Sequence, residues 1–94
     1  MHATIRSYKG TELADALAPR ATEVIDDVIA DIPGFRAYYL VRTDDGNTIT
    51  ISIFDDEAGA DESTRSATAW VAENLADLNI APPDIKDGNV VFNK

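Results

Sequence analysis

Residues 48–54 alternate almost perfectly between apolar and small polar side chains, and this pattern constrains the fold more than any other part of the chain. Successive side chains of an extended strand point to opposite faces. Ile49, Ile51 and Ile53 therefore share one face, which we expect to meet a packed layer. The opposite face carries small polar residues with an aromatic residue at its end: Thr48, Thr50, Ser52 and Phe54.

A tight turn precedes this strand. Asp44-Asp45-Gly46-Asn47 contains the Asp-Gly pair that strongly favours a two-stranded hairpin, because glycine adopts the positive φ such turns require. Residues 35–43 are rich in aromatic and β-branched side chains and form the other strand of the hairpin. The sequence thus predicts an antiparallel pair at the centre of the chain.

Helical periodicity flanks the hairpin on both sides. Residues 12–31 place apolar side chains three and four positions apart, which predicts an amphipathic helix that Pro19 kinks or splits and that Pro33-Gly34 terminates. A second helix is expected over roughly 57–78, with Asp55-Asp56 supplying the N-cap.

Two further strands complete a β-α-β-β-α-β order. Residues 2–8 form the first strand, and residues 84–93 suit the last, with a turn at Lys86–Asn89. With 94 residues the chain is one domain, and this order predicts a ferredoxin-like α+β fold with a four-stranded antiparallel sheet. Both helices would cover one sheet face, so a second copy packed sheet to sheet is expected to cover the other.

The charge balance limits the classes of partner that the chain can bind. Asp and Glu number 17 against 8 Lys and Arg, for a formal net charge of −9, which argues against nucleic acid and anionic membranes. The excess indicates a well-solvated acidic surface, with adaptation to a high-salt habitat as the alternative. There are no cysteines, no apolar run long enough to span a membrane and no hydrophobic signal segment after Met1, so we expect a cytoplasmic protein.

Few residues suggest chemistry by themselves. His2 is the one histidine, and we interpret it as a surface residue of a strand end; no spacing of acidic residues predicts a metal site. The strand arginines Arg6, Arg36 and Arg42 are expected to pair with acidic groups or across a dimer, with an anion contact inside a cavity as the alternative. Tyr38 and Tyr39 are consecutive in a strand and therefore lie on opposite faces of the sheet.

Four stretches together resemble one family: residues 34–40, the Asp-Asp-Gly turn, residues 52–63 and residues 70–75. They are similar to the antibiotic-biosynthesis-monooxygenase-like proteins of the dimeric α/β-barrel superfamily, over nearly the whole chain. The resemblance implies a homodimer whose two sheets close a barrel, with a cavity in each protomer between sheet and helices. It also implies one of several activities, because members include cofactor-free quinone-forming monooxygenases, haem-degrading monooxygenases and small proteins without an assigned activity.

The haem-degrading members carry an Asn on the first strand, a Trp early in the second helix and a His further along it. The first strand here has no Asn, the second helix has no His, and Trp70 lies late in that helix. The resemblance and the residue types together suggest a cofactor-free oxygenase acting on a small aromatic substrate, with neither cofactor nor metal. The alternative is a non-catalytic homodimer that binds a small molecule or has a structural role, so the sequence leaves open whether the chain is an enzyme. The residues expected to line the ligand pocket are Arg6, Tyr8, Tyr39, Phe54 and Trp70.

Overall fold

The computed structural model describes residues 1–94. It contains a four-stranded antiparallel sheet with helices on one face. The strands, in sheet order β2-β3-β1-β4, are β1 (His2–Tyr8), β2 (Phe35–Arg42), β3 (Thr48–Phe54) and β4 (Asp84–Asn89). The helices are α1 (Glu12–Leu17), α2 (Ala21–Val28) and α3 (Glu57–Asn74). This arrangement confirms the predicted ferredoxin-like α+β fold. No helix is long and apolar enough to cross a membrane.

The first helical segment is divided at its proline, as predicted. A short 3₁₀ turn, Ala18–Arg20, contains Pro19 and separates α1 from α2. Proline has no amide hydrogen and its ring clashes with the preceding helical turn, so a continuous helix is unfavourable here. Helix α2 ends at Val28, before the predicted end at residue 31.

The central hairpin and the start of α3 also follow the sequence. Gly46 has φ of 85° in the β2–β3 turn, a conformation that glycine adopts without strain. Asp56 caps α3, because its side chain accepts a hydrogen bond of 3.0 Å from the Gly59 amide. Helix α3 ends at Asn74, and a 3₁₀ turn over Ala76–Leu78 completes the predicted second helical segment.

The two faces of the sheet have the reverse of the usual polarity, because the covered face of β3 is polar and the uncovered face is apolar. The polar side chains of β3 are buried under the helices, whereas Ile49, Ile51 and Ile53 lie on the other face, which we call the open face. Tyr39 and Val41 of β2 share that face by register. The packed layer expected above the isoleucines is therefore not present within this chain.

The last strand corrects the sequence prediction. Lys86–Asn89 lies inside β4, where a turn was expected, and Val90–Phe92 follows the strand. Pairing with β1 outweighs the local turn signal, because β4 completes a continuous ladder beside β1. Thr4 reinforces the pairing by donating a hydrogen bond of 2.8 Å to the Asp87 carboxylate. Val91 and Phe92 are 96% and 79% exposed.

Two separate apolar clusters form the core between sheet and helices. One is built on Tyr8, Leu13 and Leu75, and the other on Ile29, Phe54 and Ala60. The second is consolidated by an edge-to-face contact between Phe35 and Phe54, whose ring centroids are 5.7 Å apart.

We predict that Gly59→Ala destabilises the fold although alanine favours helices. A Cβ at this position would lie 2.8 Å from the Phe54 ring and 3.0 Å from the Pro33 carbonyl oxygen, so the buried ring has to shift. Overpacking of this kind costs about 1–3 kcal/mol, which exceeds the gain in helix propensity. Chemical denaturation measures the change. Gly88→Ala, where a Cβ meets nothing within 4 Å, is the control, and equal stability of the two variants would contradict the prediction.

Candidate functional site

A small cavity lies between the two apolar clusters, enclosed by β1, β2, β3 and all three helices. Its volume is about 30 Å³, and we call it the inner cavity. A water molecule needs roughly 10–15 Å³ on this measure, so the inner cavity holds about two water-sized groups. Its lining is mostly apolar: Arg6, Tyr8, Leu13, Leu17, Val24, Ile25, Val28, Ile29, Tyr38, Thr50, Ala67, Trp70 and Val71.

Arg6 is the one charged residue of this lining. Its side chain projects from β1 towards the helices, and the residue is only 2% exposed. The guanidinium Nη1 donates a hydrogen bond of 3.1 Å to Ser52 Oγ on β3. Nη2 donates to Ser63 Oγ at 3.2 Å and to Thr64 Oγ1 at 2.7 Å, both on α3. The arginine thus ties the sheet to α3 through three neutral hydroxyl groups.

No carboxylate contacts this guanidinium, and its Nε is buried without a hydrogen-bond partner. Burial lowers the pKa of Arg6, and electrostatic interactions with Tyr8, Tyr38 and Asp87 partly oppose this change. An arginine nevertheless stays protonated in proteins. Arg6 therefore places a fixed positive charge at the wall of the cavity, and one of its N–H donors has no acceptor in this chain.

The other two strand arginines have the expected acidic partners. Arg36 pairs with Asp55, and Arg42 Nη2 lies 2.7 Å from an Asp15 carboxylate oxygen. All four side chains are about half exposed or more, so each pair contributes little to stability. This contrast makes the buried, unpaired state of Arg6 the unusual feature of the sheet.

Two tyrosines flank Arg6. Tyr8 and Tyr38 both line the inner cavity, and each interacts electrostatically with Arg6. Burial raises the pKa of each phenol, and the nearby Arg6 charge partly opposes the rise. Both hydroxyls are therefore protonated at neutral pH, and Tyr38 also interacts with the Thr50 hydroxyl.

Three of the five predicted pocket residues come together at the cavity, namely Arg6, Tyr8 and Trp70. Phe54 is fully buried in the neighbouring apolar cluster and is not part of the cavity lining. Tyr39 is 56% exposed on the open face, so Tyr38 occupies the place at the cavity.

Trp70 takes part in both the core and the cavity. It packs beside the Tyr8 cluster and also forms part of the cavity wall. The Arg20 guanidinium carbon lies 5.7 Å from the centroid of its ring, within the range of a cation–π contact.

A larger groove adjoins the inner cavity. It has a volume of about 340 Å³ and runs between α3 and the segment at residues 80–85. We call it the outer groove. Its lining is mainly apolar: Tyr8, Thr68, Val71, Ala72, Ile80, Ala81, Pro82, Pro83 and Ile85. Tyr8 and Val71 belong to both linings and separate the two spaces. The groove reaches the size of sites that hold small organic molecules, whereas the inner cavity does not.

The interpretation of His2 as a surface residue is wrong. His2 is 8% exposed, because β1 lies between β3 and β4 and its side chain points to the helix-covered face. Its Nε2 lies 3.7 Å from the Asp87 carboxylate. His2 is not part of the lining of either space, and no group of three or more His, Asp or Glu side chains is arranged to hold a metal ion.

The sequence did not indicate the hydroxyl groups that accept hydrogen bonds from Arg6. Ser63 and Thr64 are both on α3, where such residues usually indicate a solvated helix face. The available signal was that the small polar face of β3 ends in Phe54, which is typical of a face that is covered.

Comparison with known proteins identifies solved structures with a similar fold. No known family description matches the chain, and no curated protein sequence matches it. Solved structures do. A monooxygenase from the gene ActVA-Orf6 of Streptomyces coelicolor, in complex with nanaomycin D, has a TM-score of 0.68 at 17% identity, covering 98% of this chain and 92% of that one.

Two further solved structures are similar over almost their whole length. SnoaB, a cofactor-independent oxygenase from Streptomyces nogalater, has a TM-score of 0.65 at 12% identity, covering 98% of this chain and 94% of that one. MhuD, a heme-degrader from Mycobacterium tuberculosis with two hemes bound, has a TM-score of 0.60 at 17% identity, covering 100% and 99%. The resemblance to antibiotic-biosynthesis-monooxygenase-like proteins is thereby confirmed at the level of the fold.

Proposed function

We propose that this chain binds a small aromatic molecule in the outer groove and inner cavity, and that it acts on that molecule as a cofactor-free oxygenase. The observation that carries the proposal is the buried Arg6 in an otherwise apolar space walled by Tyr8, Tyr38 and Trp70. Flat aromatic rings pack well against such walls, and a few convergent polar groups fix their orientation. A chain without cysteine suits the reducing cytoplasm, where we expect it to act.

The chemistry follows from the positive charge. A phenol reacts with oxygen as its electron-rich anion, and a nearby guanidinium favours the anion over the neutral form. In the overall reaction the phenol loses a ring hydrogen and its hydroxyl hydrogen, gains one oxygen atom and becomes a quinone. The second oxygen atom leaves as water. The substrate itself supplies the electrons, so the balance needs no reductant beyond the phenol.

Two of the similar structures support this choice. The ActVA-Orf6 monooxygenase was solved with nanaomycin D, and SnoaB is described as a cofactor-independent oxygenase. Haem degradation has less support here, because the only histidine, His2, lies outside both linings.

A non-catalytic binding module is the second candidate. The specific observation in its favour is the volume of the inner cavity, about 30 Å³, which is too small for an aromatic ring. In this case the ligand lies in the outer groove without an ionised oxygen beside Arg6, and no electron-rich anion forms to react with oxygen.

We predict saturable quenching of fluorescence when phenols or hydroxynaphthoquinones are added. Trp70 is the only tryptophan, so the signal reports on the cavity wall alone. Thr68→Phe fills the outer groove and should raise Kd at least about tenfold, by loss of apolar contact area. Ala69→Phe, at an exposed neighbouring position outside the groove, should leave Kd unchanged.

Oxygen uptake then separates the two functions. An oxygenase consumes one oxygen molecule for each quinone formed, without added metal, flavin or nicotinamide. Saturable binding with no oxygen uptake across the panel would favour the binding module, and equal binding by both variants would remove the outer groove from the proposal.

We further infer that the open face is covered by a second copy of this chain. The face is apolar over most of three strands, and Ser7 at its edge is the one polar residue there. Its apolar residues are Ala3, Ile5, Ala37, Tyr39, Val41, Ile49, Ile51 and Ile53. Its charged side chains are confined to the outermost strand, β4, with Asp84 and Lys86. Single domains rarely leave so large an apolar surface in water, and a twofold-related copy presents the same surface in return.

We predict that Ile51→Lys converts the protein from a dimer to a monomer. The lysine would place an unpaired charge at the centre of the proposed interface, where desolvation opposes association. Sedimentation velocity or native mass spectrometry measures the mass. Ala69→Lys adds the same charge on an exposed part of α3 and should remain dimeric. A wild-type protein that sediments as a monomer at micromolar concentration would overturn the inference.

A further inference from the structure

The buried charge of Arg6 has no counter-charge in this chain. The guanidinium is held by the hydroxyls of Ser52, Ser63 and Thr64, which are all neutral. Asp87 raises the pKa of Arg6 electrostatically. Its carboxylate, however, accepts a hydrogen bond from the Thr4 hydroxyl and makes no contact with Arg6. Buried charges in native proteins are normally paired, because removal of an ion from water is costly.

The free donor adds a second, independent indication. Nε of Arg6 is buried and lacks an acceptor, while the same side chain lines the inner cavity. A buried N–H without a partner is costly, and such groups are usually satisfied by a ligand or by water. A neutral side chain of similar size would fill this space without either cost.

We propose that the inner cavity is a subsite for an oxygen anion on the ligand, either a carboxylate or an ionised acidic hydroxyl, held by Arg6. This deepens the proposed function and rests on it, because the aromatic body of the same ligand occupies the outer groove. The class of ligand is thus an aromatic acid or an acidic phenol. A neutral aromatic compound leaves the subsite without its partner.

The dimensions of the two spaces fit this division. The inner cavity, at about 30 Å³, has room for two water-sized groups, which matches the two oxygen atoms of a carboxylate. The outer groove, at about 340 Å³, has room for a ring system. Because Tyr8 and Val71 separate the two, a ligand that spans both passes between these side chains.

The overall charge of the protein gives the subsite a distinctive salt dependence. A net charge of −9 repels anions at long range, and salt screens that repulsion beyond a Debye length of about 10 Å. The contact with Arg6 is buried and is screened much less. Affinity for the anion should therefore hold or rise as salt increases, whereas binding to exposed Lys and Arg would weaken.

The test compares a matched acid and amide on the wild-type protein. Calorimetric titrations with 2-naphthoate and 2-naphthamide at pH 7 should give a Kd at least about tenfold lower for the acid, as expected for a charge-assisted hydrogen bond. 4-Nitrophenol, titrated on both sides of its own pKa, tells whether an ionised hydroxyl serves as well as a carboxylate. In ¹⁵N-labelled protein the Arg6 Nε–Hε resonance should shift on addition of the acid and stay in place with the amide.

A pair of variants provides the control. Arg6→Met should abolish the preference for the acid, whereas Arg42→Met removes an equal charge from an exposed arginine and should preserve it. If Arg6→Met does not fold, the acid–amide comparison and the Nε–Hε shift in the wild-type protein decide the question.

The outcomes separate the two proposals. Equal affinity for acid and amide, with the Nε–Hε resonance unmoved, would overturn the anion subsite and leave the aromatic site standing. Absence of binding by every compound would overturn the proposed function and the subsite together. An acid preference that disappears at high salt would assign the binding to surface cations and overturn the subsite.

Discussion

The arrangement of this protein depends on the burial of one guanidinium between the sheet and α3. Arg6 makes no contact with a carboxylate, so neutral hydroxyls from both layers must replace the water it loses. This requirement explains why Ser52 on β3 and Ser63 on α3 are fully buried polar residues. It also explains why the core is divided, since apolar side chains pack on either side of the arginine and leave a small cavity beside it.

The same interaction determines which way the strands face. With Arg6 under the helices, the register of β1 and β3 places the small polar residues of β3 there as well. The isoleucines must then point to the open face, because a slip of one residue would reverse every side chain of the strand. The apolar face that remains uncovered is thus a direct consequence of a polar layer beneath the helices. A polar interior and an apolar exterior are compatible with stability when a second copy covers the exterior.

Much of the fold could be predicted from the sequence, because local signals and long-range packing agree there. The alternation of β3, the glycine of the hairpin turn, the break at Pro19 and the cap at Asp56 each depend on a local steric or hydrogen-bonding preference. The last strand was predicted less well, because Lys86–Asn89 has the composition of a turn and its conformation is set by pairing with β1.

The site was harder to predict than the fold. Periodicity shows that Tyr38 and Tyr39 lie on opposite faces, but it does not show which face the helices cover. A strand arginine in an acidic chain also suggests a surface ion pair, and Arg36 and Arg42 do form such pairs. The burial of Arg6 depends on hydroxyls 46 to 58 positions away in the sequence, which no local pattern reveals.

The feature on which the proposed site depends is the positive charge of Arg6, which has no counter-charge and lies at the wall of a small internal cavity. The most direct measurement is anomalous diffraction from crystals grown with sodium bromide, since bromide is a compact anion that is located without ambiguity. We expect a bromide ion within hydrogen-bonding distance of the Arg6 Nε, inside the inner cavity. An Nε that donates to an acceptor of its own chain, with bromide bound only at exposed arginines and lysines, would contradict the anion subsite.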